Sequence, residues 1–263
     1  MRLSRPIVFL SDYGLTDGFV GICHGVIARA APDVRVIDLT HAVPRHDVLR
    51  GALTLAGAAR FMPERAVYLA VVDPGVGSAR RSIAVETASG AHLVGPDNGL
   101  LSIAWGELGG ETGAVEISSN RILLEPVSRT FHGRDVFAPA AAHLAHGRSL
   151  PELGPSIPTG ELRRVALPPA RVRGGRVDCA AVGLDRFGNV RLNIGPGDLA
   201  TADLGLSFRL GSHALSVVDA FADSPEGEPA ALVDSDGFVT LFVNRGSAAE
   251  RLGIRAGDRL TLE

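Results

Sequence analysis

Apolar positions in the first half of the chain come in blocks rather than singly. Residues 6–10 and 66–72 are nearly unbroken apolar runs of strand length, the first the pattern of a buried strand, and 34–39 reads as a further strand between them. Residues 16–31 and 47–60 carry apolar residues at helical spacing. Thr16 is placed to cap the first of these, Pro32 and Asp33 to end it, and Asp47 opens the second. Shorter strands are predicted at 82–86 and 92–94, a short helix from Asp97 or Asn98 toward Trp105, and a final helix from Asp135 through His146. Such alternation predicts an α/β domain over residues 1–165 with a mainly parallel sheet.

The texture changes across 147–173, where Pro151, Pro155, Pro158, Pro168 and Pro169 interrupt any periodicity, as in a linker. Beyond it, strand patterns at 177–183, 190–194, 207–210, 214–218, 230–233 and 238–243 are separated by Gly- and Asp-bearing turns. A smaller all-β barrel domain over 172–263 is the expectation.

Composition narrows the function. With 263 residues, 46% of them hydrophobic, the chain has material for packed cores. A net charge of -3 argues against a nucleic-acid partner. Every basic residue is Arg, which excludes a Lys Schiff base or a P-loop Lys. Cys23 and Cys179, far apart in apolar segments, read as buried free thiols. No apolar run is long enough to span a bilayer, and the chain enters a strand almost at once without a signal-peptide pattern, so a cytoplasmic enzyme is expected.

Candidate chemistry sits where strands end, the place where open α/β sheets bind ligands. The clusters are Ser11-Asp12-Tyr13-Gly14 with Asp17, Asp73-Pro74-Gly75-Val76-Gly77 with Arg80 and Arg81, Gly95-Pro96-Asp97-Asn98-Gly99, and Thr130-Phe131-His132-Gly133-Arg134-Asp135. Any one of them reads equally well as a turn or a cap, Asp97 and Asp135 most of all. His24, His41, His46, His92, His143, His146 and His213 read as structural, His46 with a weak claim to more. The coincidence of four clusters favours a site. There is no GxGxxG after the first strand, no P-loop, no GxSxG elbow and no zinc-ligand spacing, so a ligand without phosphates is favoured and neither metal nor cofactor is expected.

Taken in order, these segments resemble the S-adenosylmethionine hydroxide adenosyltransferases, relatives of fluorinase and chlorinase. The resemblance runs through Phe9–Gly14, Val72–Gly77, Gly95–Leu100 and Thr130–Asp135, then Asp185-Arg186-Phe187-Gly188-Asn189 and Asn244-Arg245-Gly246-Ser247-Ala248-Ala249. It implies an N-terminal α/β domain, a C-terminal β-barrel, and a homotrimer whose ligand lies between one subunit's first domain and a neighbour's second. It implies that Asp12 grips the ribose hydroxyls and that Asp17 and Asp185 face the methionine end. Phe187 would stack on adenine, and Asn189 would read its polar edge. Phe221 is a weaker adenine candidate, with a core strand position as the alternative. Ser235 matches a position near the methionine carboxylate, although the next residue is Asp236 where the halogenating relatives have Arg. Backbone near Arg245 would meet adenine.

The resemblance also bears on the nucleophile. The halogenating relatives have Tyr at the positions of Asp73 and His132, and fluorinase has Ser in place of Gly133. A carboxylate repels a halide but accepts a proton from water, so Asp73, Arg80 and His132 imply hydroxide as nucleophile and a hydrolysis of S-adenosylmethionine to adenosine and L-methionine. Arg81 is an alternative to Arg80, with spacing favouring Arg80. The competing readings are a halogenase, a nucleoside-binding protein without turnover, and more remotely a metal-dependent hydrolase using Asp12, Asp73, Asp97 and His132.

Overall fold

A computed structural model describes residues 4–263. The chain forms two compact units, one ending at Val165 and the other beginning at Ala166.

The first unit runs β1 (Ile7–Ser11), α1 (Phe19–Ala30), β2 (Val36–Thr40), α2 (Val48–Ala59), β3 (Val67–Val71), β4 (Ser82–Thr87), β5 (His92–Pro96), α3 (Ser102–Glu107), β6 (Glu111–Glu116) and α4 (Ala138–Ala145). Its sheet has the order β2-β1-β3-β5-β4-β6. β1 lies parallel to β2 and β3, and β3 to β5, whereas β4 is antiparallel to both β5 and β6. The sheet is therefore mixed: β2, β1, β3 and β5 run parallel, as expected, and β4 is the reversed strand. The four residues between β4 and β5 are too few for a crossover helix, so the chain must turn back on itself.

The central strands β1 and β3 are buried along their whole length because both faces of the sheet are covered there. Ile7 and Phe9 of β1 and Leu69 of β3 pack with Cys23 and Ile27 of α1 and Leu144 of α4 on one face. Val8, Leu10 and Tyr68 pack with Leu55 of α2 and Trp105 of α3 on the other. Both cysteines are buried and free.

Several expected boundaries shift. Thr16 does not cap α1; the N-cap is Gly18, with no side-chain bond. Asp47 does cap α2, accepting from the Arg50 backbone N–H at 2.9 Å. Asp97 caps nothing, since α3 starts only at Ser102 and the Asp97 carboxylate is taken by arginine. Asp135 lies inside a π-helical turn, Gly133–Phe137, that leads into α4. Strand β6 has no counterpart in the sequence expectations. It also explains residues 147–165, expected to be a linker: they fold back along it, with Glu116 N–H donating to Pro155 O and Ile157 N–H to Ala114 O, both at 2.9 Å.

The second unit runs β7 (Arg171–Arg173), β8 (Arg176–Leu184), β9 (Val190–Leu192), α5 (Pro196–Thr201), β10 (Ser207–Leu210), β11 (His213–Ser216), β12 (Pro229–Val233), β13 (Val239–Val243), α6 (Ala248–Leu252) and β14 (Arg259–Leu262). An antiparallel sheet of order β12-β13-β9-β8-β14, with β7 on β8, accompanies the hairpin β10–β11. Val177, Val190, Leu192, Leu241 and Leu262 centre its core. The short helices α5 and α6 make this unit predominantly rather than wholly β. Among the described residues no helix is long and apolar enough to cross a membrane.

Candidate active site

β1 and β3 are sheet neighbours in a register that pairs Ser11 with Val71, so the chain leaves both strands at the same edge carrying Asp12 and Asp73. Asn98, just beyond β5, ties the third strand end to them by donating to Val72 O at 2.8 Å. The turn ahead of α4 comes to the same edge. Together they enclose a pocket of about 340 Å³, lined by Asp12, Tyr13, Asp17, Asp73, Phe131 and His132 among others.

The centre of the pocket is a bonded set. Arg80 Nε donates to Asp73 Oδ1 at 2.9 Å, and its Nη2 donates to Asp73 Oδ2. Nη1 donates to Ser82 Oγ at 2.7 Å, and Nη2 also reaches His132 Nδ1 at 2.8 Å. The guanidinium lies 5.1 Å from the centroid of the Phe137 ring. The Arg80 side chain is largely buried and does not line this pocket, so it orients the Asp73 carboxylate without facing the pocket itself. Guanidinium only donates, so His132 Nδ1 must accept and the imidazole proton sits on Nε2. Burial and then the charge of Arg80 push the His132 pKa down, opposed by Asp73 and Asp135, so the ring is neutral at neutral pH. Arg81 has other partners, Asp97 at 2.9 Å and Glu161.

Around this set, Asp12 Oδ2 accepts from the His46 backbone N–H at 2.9 Å, and His46 adopts a left-handed φ of 66°. Asp12 Oδ1 has no protein partner among the described residues and is left for a ligand. Asp17 is exposed at the pocket rim. Tyr13, given no role by sequence reasoning, is wedged edge-on against Phe131, and its hydroxyl has no protein partner among the described residues. Burial foremost, with Cys23, Asp12 and Asp73 adding to it, pushes its pKa well up, so it stays a donor. Gly133 makes its seat: a Cβ there would strike the Tyr13 hydroxyl. That pairing of a glycine with an aromatic is the signal that sequence alone left unread. Phe19, Arg45, His46 and Thr130 also line the pocket. Asp97 is turned away, accepting from Arg81 and from the Arg163 backbone N–H at 2.8 Å. Asp12, Asp73, Asp97 and His132 therefore bring no set of metal-ligand atoms to one point.

The second unit holds the remaining candidates. Asp185 is consumed by its own turn, accepting from the backbone N–H groups of Phe187 at 2.8 Å and Asn189 at 2.9 Å and from Asn189 Nδ2 at 2.7 Å. The turn presents Phe187 to solvent at 69% exposure with the Arg186 guanidinium over its ring. Gly188, at φ 81°, packs on Ser247 and accepts from Ala249 N–H at 2.9 Å, which joins the two sequence motifs of this unit. Phe221 lies in a 3-10 turn, not a strand, half exposed and edge-on to Phe242. Ser235 and Arg245 are exposed, and Arg245 pairs with Glu226 at 3.2 Å. Beside Ser235, Asp234 and Asp236 both hold Arg191, each at 2.7 Å. That cluster is net negative and suits an ammonium better than a carboxylate.

Comparison with known proteins agrees with this layout. The profile described as "SAM hydroxide adenosyltransferase N-terminal domain" matches residues 7–154, and that for the "C-terminal domain" matches residues 179–261. The chain is 48% identical over 254 residues to an (R)-S-adenosyl-L-methionine hydrolase of Salinispora tropica, covering 97% of this chain and 96% of that protein. It is 41% identical to one of the same name from Thermus thermophilus, with 96% and 97% covered. A fluorinase of an Actinoplanes species is 31% identical over 98% and 97%. Among solved structures, an uncharacterized conserved protein from Thermotoga maritima superposes with a TM-score of 0.89 at 33% identity, covering 97% of this chain and 99% of that one.

Proposed function

This chain belongs to the SAM hydroxide adenosyltransferase family, and we infer from its site that it hydrolyses S-adenosyl-L-methionine to adenosine and L-methionine. The observation that carries this reading is the Asp73–Arg80–His132 set on a pocket that also holds Asp12.

The reaction is an in-line displacement. Water oxygen forms a bond to ribose C5′, and the C5′–S bond breaks with its electron pair going to sulfur. The sulfonium thereby becomes the neutral thioether of methionine, and the water gives up one proton. Asp73, clamped by Arg80, is placed to take that proton. His132 carries its proton on Nε2 and so orients the water as a donor, while Asp73 serves as the acceptor. A sulfonium is already a good leaving group, so the displacement calls for no electrophilic or redox group. The free Asp12 Oδ1 suits a ribose hydroxyl.

Residue roles in the second unit rest on the family resemblance. We place Phe187, Asn189, Phe221 and the Arg245 backbone against adenine, and Ser235 with the Asp234–Arg191–Asp236 cluster at the methionine end. Asp185 acts there through the turn it holds. We propose in addition that these residues face a neighbouring copy's pocket in a homotrimer, and that the protein works in the cytoplasm. The relatives' names point to the R configuration at sulfur as the preferred epimer.

The test is product analysis in water enriched in heavy oxygen. Adenosine labelled at the 5′-hydroxyl is expected, faster from the R epimer. Asp73→Asn should lower kcat by about a hundredfold or more with little change in substrate Kd. A 5′-halo nucleoside formed in chloride or fluoride would make the protein a halogenase. Tight adenosine binding with no turnover would make it a nucleoside-binding protein.

A further inference from the structure

Beside the edge strand β2, three side chains converge from α1, β2 and the residue just past β2. His24 of α1 places Nε2 at 2.9 Å from Asp38 Oδ1 on the edge strand β2. His41, just past the end of β2, places Nε2 at 3.0 Å from the same oxygen. All three atoms lie within 4.8 Å of one another, and among the described residues no other His, Cys, Asp and Glu side chains gather in this way. We propose that His24, Asp38 and His41 form a binding site for a divalent first-row transition-metal ion.

Two imidazoles and a carboxylate form a donor set that such ions favour. The two spacings to Asp38 suit it: two ligands about 2.1 Å from one ion lie about 3.0 Å apart at a right angle and about 3.4 Å apart at the tetrahedral angle. Local hydrogen bonding leaves the cluster incomplete. His41 is 3% exposed at its side chain, yet its Nε2 makes no hydrogen bond, because the 3.0 Å approach to Asp38 does not lie along the ring N–H direction. A buried ring nitrogen without a well-aligned partner is costly, and an ion between it and His24 would supply one.

The surroundings also fit. His41 Nδ1 lies 2.8 Å from Ser11 Oγ, and the ring is held edge-on by Phe9 with centroids 4.6 Å apart. When Nδ1 donates to Ser11, the Nε2 lone pair is left for a metal, the arrangement in which an outer partner fixes the tautomer of a ligating histidine. His24 and Asp38 are partly exposed, so an ion can enter and keep solvent ligands. None of the three residues lines the Asp73 pocket, although Ser11 links His41 to the segment that carries Asp12 and Tyr13, and the site does not depend on the hydrolase reading.

Protein stripped with chelator and titrated with Zn²⁺ by calorimetry should bind one ion per chain. Co²⁺ should give a visible d–d band. His24→Ala and Asp38→Asn, both at partly exposed positions, should each weaken binding by about a hundredfold while leaving the fold intact by circular dichroism. His213→Ala, on the other unit, should bind as the wild type does. No stoichiometric binding to the wild type, or equal binding by wild type and both cluster variants, would overturn the site.

Discussion

Tyr13 is the residue whose chemistry is least spoken for. Its hydroxyl lines the pocket with Asp73 and His132, stays protonated, and bonds nothing in the protein among the described residues. A water held by Asp73 and His132 would have it as a further donor. Tyr13→Phe removes that donor without removing any protein hydrogen bond. Its melting temperature should barely move, while kcat falls by about tenfold. Gly133→Ala should cost more, because the added methyl displaces the Tyr13 hydroxyl from its seat. Steady-state kinetics with thermal melts on both variants check this. An unchanged kcat in Tyr13→Phe would remove the hydroxyl from the reaction. Arg80 shows a contrasting case: spacing alone could not separate it from Arg81, but the structure gives Arg81 to Asp97 and Glu161 and leaves Arg80 for Asp73.

At the level of elements, what could be read from sequence was what lies in one stretch of chain. The apolar blocks located β1, β3 and α2 because burial on both faces needs uninterrupted apolar residues, and Asp47 was legible as a cap because its partner is three residues away. The alternation of strands and helices made the parallel run β2-β1-β3-β5 legible, the reversal of β4 was not, and β6 was missed because its polar residues and Gly113 hide an edge strand. Asp97 and Asp135 looked like caps until distant or neighbouring arginines claimed them. The strand-end clusters at Asp12, Asp73 and His132 were visible. The His24–Asp38–His41 convergence was not, because it brings together residues of α1 and β2 that are 14 positions apart in sequence. Strand β5 carries a prediction of its own. His92 at its start is buried against Arg5, and burial, then the charges of Arg5 and Arg65, push its pKa down to about 4. The unfolded chain takes up this proton near the ordinary histidine pKa of about 6.5, whereas the folded chain resists until about 4. Its contribution is thus complete above pH 6.5 and is lost as pH falls toward 4, with a slope approaching about 1.4 kcal/mol per pH unit. Urea midpoints measured from pH 7 to 5 should drop along that slope, and His92→Gln should flatten it. Equal slopes in both proteins would discard the assignment.

At the scale of the whole molecule, the two units divide the chemistry. In the proposed reaction the first supplies the nucleophile end, with Asp12, Asp73 and His132, while the second presents an exposed aromatic, Phe187, on a turn braced by Asp185 and Gly188. An aromatic ring that exposed in the isolated chain is explained if a ligand or a neighbouring copy covers it. The proposed trimer makes a distinctive prediction. If each site takes its first unit from one chain and its second from a neighbour, Asp73→Asn and Phe187→Ala chains are each impaired alone but complement when mixed. Random 1:1 assembly gives a site with both intact halves in about a quarter of cases, so about a quarter of wild-type activity should return. Sites built within one chain would give no recovery, since every chain then carries one defect in its own site. Co-refolding the two variants, with activity followed against their ratio, separates the arrangements: recovery peaking at equal proportions requires sharing between copies, and a straight line between the two parent activities excludes it.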